Sequence, residues 1–332
     1  MKSIIDIDPI LDNIEKTVKR HEISTGHYCR YLWQDRAESR EMGLNAYGCA
    51  DAANILYTLN RFPRDPEERA QWIAALQSKQ DPETGIFLEP THHDFHTTAH
   101  CVAALELFDA RPLYPLTAMN PFLDITHLYR TMEEIDWMRH GRGGHWGAGL
   151  YAALAITDSI GDDWAQQYFA WFNSQCDPET GVWSCDPDEE YELYYQIGEA
   201  FHYLFNYEYA KQPMPYPEKL IDTCLKMYKE GYAPPGFGRQ FHYIEMDWAF
   251  CLNRALRQTP HRFYEVKEVL YDLATHMVEF LNQVDWETDD SANDLHLLFG
   301  LTCCLAELQL ALPGVIHSSK PLRLTLDRRP FI

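Results

Sequence analysis

The side chains best suited to chemistry concentrate in one stretch, Glu89–Leu107, which reads EPTHHDFHTTAHCVAALEL. It opens with a polar segment that contains His92, His93, Asp94 and His96, and it continues as an apolar segment with helical character. A polar loop that leads into a buried helix can hold reactive groups on a rigid support. We therefore expect this stretch to contribute to a functional site.

His92, His96 and His100 recur at a spacing of four residues, which places their rings on one face if the helix begins early enough. Imidazoles arranged in this way can bind zinc or another transition metal, with Asp94 or a distant carboxylate as a further ligand. His100 would lie a full turn inside the helix, where a structural histidine bonded to a neighbour is the commoner role. We predict no metal ligands and no required cofactor, and we keep zinc as the alternative.

Hydrolysis by acid–base chemistry needs two carboxylates that face each other across the substrate. Asp94, Glu199, Asp247 and Asp294 lie near the starts of four different apolar helical segments, so pairs of them could do so. For each one singly, a helix cap or a structural ion pair is the commoner role. Asp94 in particular could cap the helix that begins beside it.

A lyase needs instead a base, an acid and a group that neutralises a substrate carboxylate. His96, His145, Tyr195 and Arg239 could fill these roles. His145 lies in the segment HGRGGHWG, whose glycines permit close approach of a ligand but equally suit a tight turn into a helix. The predicted catalytic residues, which together serve either reaction, are Asp94, His96, His145, Tyr195, Glu199, Asp247 and Asp294.

Aromatic, cationic and imidazole side chains near the starts of the apolar segments suit the binding of sugars, through ring faces and hydrogen bonds to hydroxyls. The predicted substrate-binding residues are Tyr31, Trp33, His92, His93, Arg142, Trp146, Arg239, His242, Tyr243 and His296. An isoprenoid pocket should contain few ionisable groups, because each unpaired one is costly to bury.

Two kinds of helical segment alternate along the chain and would position these residues. Six segments are apolar nearly all round, as helices packed on every side must be, and they start near Ala46, His96, Ala148, Tyr191, Glu245 and Leu295. The six amphipathic segments are Asp8–Glu22, Pro66–Gln80, Phe122–Trp137, Asp163–Gln175, Pro217–Glu230 and Phe263–Gln283. Starts spaced by about 45–55 residues fit a repeated helix pair, and no alternating pattern predicts a sheet.

Six such pairs pack economically as two concentric rings, with the apolar helices inside. We predict an all-α fold of this kind, an (α/α)6 toroid that residues 1–332 form as a single domain. The loops before the inner helices would then open at one end and form a polar site. An open α-solenoid is the alternative, but six pairs that close on themselves leave no end to cap.

Two repeated turns, QDPETGIF at Gln80–Phe87 and QCDPETGVW at Gln175–Trp183, resemble the Gln-Trp repeat of squalene and terpene cyclases. They also resemble the Gly-rich turn of protein prenyltransferase β subunits, and DFHTTAHCVAAL around His96 is similar to a prenyltransferase segment whose histidine binds zinc. Both families are six-hairpin α/α toroids, so the resemblance implies that fold. DPETGVW is also similar to a Thr-Gly-Leu-Trp turn of unsaturated glycuronyl hydrolases, which use the same scaffold.

The isoprenoid chemistry of these families carries over less well than their fold. Asp285, Asp289 and Asp290 do not have the spacing of the Asp-x-Asp-Asp acid of class II terpene cyclases, and the sequence lacks the Asp-rich magnesium motif of class I. No Asp-x-Cys precedes His96 to complete a prenyltransferase zinc site. Our first hypothesis is therefore a carbohydrate-active enzyme, a glycoside hydrolase or a lyase. An isoprenoid enzyme and a non-catalytic, ligand-binding toroid are the alternatives.

The composition bears on partners and location. The chain has 50 acidic residues against 28 Lys and Arg, a net charge of -22 that repels nucleic acid and anionic membranes. We expect a small-molecule or oligosaccharide substrate, and neither nucleic acid nor membrane as a partner. Nine cysteines without a CxxC favour a reducing compartment. The acidic N-terminus lacks the apolar core of a signal peptide, so we expect a cytoplasmic protein.

Overall fold

The computed structural model describes residues 4–34, 40–135, 137, 143–183 and 192–329. Helices dominate these ranges, which contain twelve α-helices, a few 3-10 turns and four very short strands. The prediction of an all-α protein is thereby confirmed. Within the described ranges, every helix is too short or too polar to span a bilayer.

Every second helix is buried on nearly all sides, as the small and apolar residues of these segments predict. The buried helices are α2 (Ala46–Thr58), α4 (Asp94–Leu107), α6 (Gly143–Ile156), α8 (Leu193–Ala210), α10 (Ile244–Ala255) and α12 (Leu295–Ala311). Each packs against the next one along the chain, and α12 packs against α2. Their contacts therefore follow a cyclic order.

Amphipathic helices alternate with the buried ones and turn their apolar faces towards them. They are α1 (Asp8–Arg20), α3 (Pro66–Gln77), α5 (Ile125–Glu134), α7 (Asp162–Gln175), α9 (Pro217–Lys229) and α11 (Phe263–Leu281). The predicted start of α5 at Phe122 was wrong. A 3-10 turn, Thr117–Leu123, precedes this helix and contains Pro121, which cannot donate a helical hydrogen bond.

The described part of the glycine-rich segment, residues 143–147, is helical, although the sequence predicted a loop up to Ala148. Helix α6 begins at Gly143. A Cβ atom on Gly144 would lie only 2.6 Å from Oε2 of Glu199. The glycine therefore lets α6 approach α8 closely, and the segment places His145 on a rigid helix rather than on a loop.

The repeated turns share one hydrogen-bonding pattern, which occurs three times. An aspartate accepts a hydrogen bond from the hydroxyl of the threonine three residues later, at 2.7–2.8 Å, in the pairs Asp81–Thr84, Asp177–Thr180 and Asp285–Thr288. The third turn has the sequence DWET instead of DPET, so it was not recognised in the sequence as a copy of the other two. Each turn follows an amphipathic helix, α3, α7 or α11. The turns thus define a structural repeat.

The short strands tie the ends of the chain and one loop together. β1 (Ile5–Asp6) pairs in parallel with β4 (Ile316–His317), and β2 (Glu22–Ser24) pairs antiparallel with β3 (His27–Tyr28). The sequence did not predict them, because strands of two or three residues leave no readable alternation. They hold the loop before α2 and the C-terminal segment near α1.

Candidate active site

The N-terminal halves of the buried helices bring imidazole, phenol and carboxylate groups together. We call the following nine residues the polar cluster: Tyr47 and Asp51 of α2, His96 and His100 of α4, His145 of α6, Glu199 and His202 of α8, Asp247 of α10 and His296 of α12. All six buried helices contribute, and only His145 is partly exposed. The cluster is built on helices, so its side chains are held by a rigid framework.

Three imidazoles from three different helices meet in the polar cluster. The ring centroids of His96 and His145 are 4.3 Å apart, those of His145 and His202 are 4.9 Å apart, and those of His96 and His202 are 5.7 Å apart. One ring nitrogen of each lies within 4.8 Å of the other two. Burial, reinforced by the neighbouring imidazoles, lowers the pKa of His96 well below its ordinary value. His96 is therefore neutral at neutral pH.

Hydrogen bonds orient two of these rings. The hydroxyl of Tyr47 lies 2.5 Å from Nδ1 of His96. Nδ1 of His202 lies 2.7 Å from the carbonyl oxygen of Gly198, one turn earlier on α8. Because a carbonyl oxygen only accepts, Nδ1 of His202 carries the proton and Nε2 holds the lone pair.

A second buried group lies one turn further along α4. Oδ1 of Asp51 accepts hydrogen bonds from Nε2 of His100 at 2.8 Å and from Nδ1 of His296 at 3.1 Å. Burial lowers the pKa of His296 to about 4. Burial alone would raise the pKa of Asp51, but the two imidazoles outweigh it and hold that pKa below its ordinary value. Tyr243 donates its hydroxyl to the carbonyl of His296 at 2.8 Å.

The three histidines at four-residue spacing, His92, His96 and His100, divide between different groups of side chains. His92 stacks on His96 with centroids 5.0 Å apart, and its Nδ1 lies 3.3 Å from Oε2 of Glu89. His100 contacts Asp51 instead. The rings share a helix face, but their nitrogens are directed to different partners.

Two of the four predicted catalytic carboxylates, Asp94 and Asp294, do not belong to the polar cluster. Asp294 accepts two hydrogen bonds from Arg30, at 2.8 and 2.9 Å, and also caps α12. Asp94 is exposed in the first turn of α4. It does not cap the helix as its sequence position suggested, because Nδ1 of His93 accepts the hydrogen bond from the backbone N–H of Phe95 at 3.1 Å.

Arg30 holds together three loops that precede buried helices. Besides Asp294, its guanidinium donates to Oε1 of Glu89 at 2.9 Å and to the hydroxyl of Thr91 at 2.8 Å. Burial would raise the pKa of Glu89, but the hydrogen bond from His92 and the charge of Arg30 lower it to about 2. This network is a structural support beside the cluster.

The remaining pair of predicted carboxylates, Glu199 and Asp247, lies within the cluster. Oε2 of Glu199 accepts a hydrogen bond from the backbone N–H of Gly144. Burial, together with the charges of Glu245 and Glu199, raises the pKa of Asp247 well above its ordinary value. Burial also raises the pKa of Glu245 to about 7. Burial therefore favours the protonated form of Asp247, which lies near a carboxylate that accepts a hydrogen bond.

Two predicted substrate-binding residues lie in the loop before α2, beside the Arg30 network. The ring of Tyr31 lies 4.9 Å from the guanidinium carbon of Arg30, and Tyr31 is buried. Trp33 is partly exposed and donates its indole N–H to Asp290 at 3.1 Å. The contact of Tyr31 with Arg30 and the hydrogen bond of Trp33 to Asp290 account for the positions of both rings without a ligand.

The other predicted site residues take varied positions. Trp146 is buried, with its ring centroid 5.9 Å from that of Phe95, and Nδ1 of His242 accepts from the backbone N–H of Ile244 at the start of α10. Arg239 is exposed. The ring of Tyr195 packs against that of Tyr194 at 4.4 Å. Arg142 lies outside the described residues.

The sequence reasoning missed Tyr47, Asp51 and His202. Asp51 is the single acidic residue in a helix that is otherwise small and apolar, and an ionisable group so placed needs a buried partner. His202 follows Glu199 at a three-residue spacing, which puts both on one face of α8. Both signals were readable in the sequence.

Comparisons of this chain with protein-family models, with curated proteins and with solved structures found no match. The resemblance to toroid enzymes therefore rests on the repeated turns and on the segment around His96. The function has to be inferred from the geometry of the polar cluster itself.

Proposed function

We propose that this protein is a carbohydrate-active enzyme, of the glycoside hydrolase or lyase type, with the polar cluster as its active site. The observation that supports the proposal is the buried carboxyl group of Asp247, which lies close enough to Glu199 for the charge of that residue to raise its pKa. A carboxylic acid whose pKa is raised by burial can donate a proton at neutral pH, and a nearby carboxylate or imidazole can accept one.

The proposed hydrolysis assigns one role to each carboxyl group. Asp247 donates its proton to the glycosidic oxygen as the bond from that oxygen to the anomeric carbon breaks. Glu199 removes a proton from the attacking water, whose oxygen forms the new bond to the anomeric carbon. His145, the partly exposed imidazole of the cluster, contacts substrate hydroxyls. The proton taken from water later returns to Asp247, which restores the starting state.

A lyase is the second reaction within this class. His145 would remove the proton next to a uronic carboxylate, which a cation neutralises. The electron pair of that C–H bond would form the C=C bond as the C–O bond to the leaving sugar breaks, and Tyr195 would give its proton to the leaving oxygen. The ring centroids of His96 and His145 are 4.3 Å apart, so two of the four residues proposed for a lyase lie together. Arg239 is exposed, which favours hydrolysis over elimination as the first reaction to test.

We further propose that the cyclic packing of the buried helices is that of an (α/α)6 toroid. The contact of α12 with α2 supports closure, and the three Asp–Thr turns support a repeated helix pair. A cytoplasmic location belongs to the same proposal and draws on cysteine usage. In the described part of the chain, eight cysteines are buried thiols.

The polarity of the cluster argues against the isoprenoid alternative. A hydrocarbon chain would have to lie against Asp51, Glu199, Asp247 and several imidazoles, and each group left without a partner would cost free energy. A non-catalytic toroid would have less need of a carboxylic acid with a raised pKa. Turnover measurements separate these cases.

The test is a turnover assay with neutral oligosaccharides and with saturated and unsaturated uronic oligosaccharides, followed by mass spectrometry of the products. We expect cleavage by the wild type and a loss of at least ~100-fold in kcat for Asp247→Asn and Glu199→Gln. Asp163→Asn, which changes an exposed carboxylate in the first turn of α7, should keep full activity. Unchanged kcat in both cluster variants, or turnover of prenyl diphosphates alone, would overturn the proposal.

A further inference from the structure

We infer that His96, His145 and His202 bind a divalent transition metal ion, and Zn²⁺ is the ion with which to test this. The inference concerns binding alone and does not rest on the proposed reaction. Three imidazoles from three separate helices converge in the interior of the protein, with one nitrogen of each within 4.8 Å of the others. Histidine is the commonest metal ligand of this kind in proteins.

The separations suit a metal ion after small rotations of the side chains. Zinc binds imidazole nitrogen at about 2.0–2.1 Å in tetrahedral geometry, which places ligand nitrogens about 3.3 Å apart. The nitrogens of the three histidines span at most 4.8 Å, so each moves inward by roughly 1 Å to reach a common ion. Rotation about the two side-chain bonds of each histidine is the movement that this requires.

Hydrogen bonds prepare two of the three rings for this role. Nδ1–H of His202 donates to the carbonyl of Gly198, so Nε2 carries the lone pair that a metal requires. The hydroxyl of Tyr47 contacts Nδ1 of His96 and fixes the orientation of that ring. Such outer contacts are characteristic of metal-binding histidines, whose second nitrogen is held by a carbonyl, a carboxylate or water.

The charges around the three histidines favour a cation. Glu199 shares a face of α8 with His202 and lies near Gly144, which directly precedes His145. A carboxylate in this position can balance part of the charge of the ion. Three histidines leave a fourth position for water or substrate, as in catalytic zinc sites.

The other two groups of possible ligands are less suitable. In the group of Asp51, His100 and His296, both imidazole nitrogens that face Asp51 donate to its Oδ1 and therefore carry protons. A protonated nitrogen has no lone pair for a metal. The third group, which contains His317, is exposed, and water competes there with the ligands. The three-histidine group is therefore the one expected to bind tightly.

The test is a titration of the chelator-treated full chain with Zn²⁺ in competition with a chromophoric chelator, repeated with Co²⁺. We expect one tight equivalent of Zn²⁺ and the visible absorption of tetrahedral Co²⁺. His145→Ala should weaken binding by more than ~100-fold, since losing an outer contact alone costs about 10–100-fold. His317→Ala is the matched control, because it removes the exposed group and should leave the affinity unchanged.

Folding of His145→Ala is checked without metal by circular dichroism. If it does not fold, Tyr47→Phe serves in its place, and we expect about 10-fold weaker binding from the lost contact to His96. Wild-type protein that binds no tight equivalent overturns the inference. So does loss of binding in His317→Ala but not in the cluster variants. Because these assays contain no substrate, a failure of the carbohydrate proposal would leave their result unaffected.

Discussion

His202 donates its Nδ1 proton to the carbonyl oxygen of Gly198 across 2.7 Å, and this bond determines which of its ring nitrogens holds a lone pair. The same helix carries Glu199, whose carboxylate accepts a hydrogen bond from the backbone N–H of Gly144 in α6. Helix α8 thus orients an imidazole and a carboxylate through main-chain groups, which substitutions of neighbouring side chains leave in place. The close contact of α6 with α8 is consequently central to the geometry of the cluster.

The contact between α6 and α8 can be tested with Gly144→Ala. The added Cβ would lie 2.6 Å from Oε2 of Glu199 and 3.2 Å from Cβ of His202, so the helices must separate or these side chains must move. We expect a loss of about 1–3 kcal/mol in the free energy of unfolding, measured with urea. Gly161→Ala is the control, because nothing lies within 4 Å of its Cβ position. Equal stability of both variants would contradict this packing.

The buried Arg30 network predicts a large effect of Arg30→Met. This change leaves Asp294 and Glu89 buried without their cation, and removing one partner of a buried ion pair costs about 3–5 kcal/mol. Arg61→Met is the matched control, because the carboxylates that pair with Arg61 are largely exposed, and it should cost less than ~1 kcal/mol. Urea denaturation of both variants measures the difference. Similar costs would show that the Arg30 network contributes no more than a surface pair.

Glu89 should make the protein sensitive to acid. Its pKa is about 2 in the folded chain against an ordinary 4.5, so its stabilising contribution is complete above pH 4.5 and is lost as the pH falls towards 2. The contribution amounts to roughly 3 kcal/mol. Glu89→Gln should therefore destabilise the protein at pH 7, with a deficit that shrinks below pH 4.5. Glu83→Gln, at an exposed position, controls for the charge change. A deficit independent of pH would contradict the assigned pKa.

The buried carboxyl group of Glu245 should make the stability of the protein depend on pH in the opposite direction. Burial raises its pKa to about 7, so the folded chain is penalised as the pH rises from 4.5 through 7, where the unfolded chain is already ionised. Glu245→Gln should be more stable than the wild type at pH 8 by up to about 3 kcal/mol and similar to it at pH 4. Thermal unfolding at the two pH values gives the comparison. A variant that is less stable at pH 8 would show that the charged form is favoured in the fold.

The helices could be predicted from the sequence because residues within or next to each helix determine where it forms. Proline at the starts of α3 and α9 and the small apolar residues of α2 determine nearby structure, and the predicted bounds agree with these helices to within a few residues. Burial of nearly every position in a segment also follows from its composition. The alternation of buried and amphipathic helices was therefore readable without a structure.

The pairing of side chains could not be predicted in the same way. The ion pair of Arg30 with Asp294 joins residues far apart in the chain, and the carboxylate of Asp294 could not be distinguished in the sequence from a catalytic one. The glycines before Ala148 suit a turn or a close helix contact equally well, and only the position of Glu199 decides between them. Such assignments depend on tertiary contacts.

Binding of a carbohydrate by the polar cluster can be measured with a thermal-shift panel. Neutral and uronic oligosaccharides are compared with prenyl diphosphates, with and without Zn²⁺ or Mg²⁺, on the wild type and on Glu199→Gln. A ligand at 100 times its Kd adds about 2.7 kcal/mol of stability, which raises the Tm by a few degrees. We predict a shift with oligosaccharides that is reduced in the variant. A shift with prenyl diphosphates and metal alone would show that the cluster binds an isoprenoid substrate and not a carbohydrate.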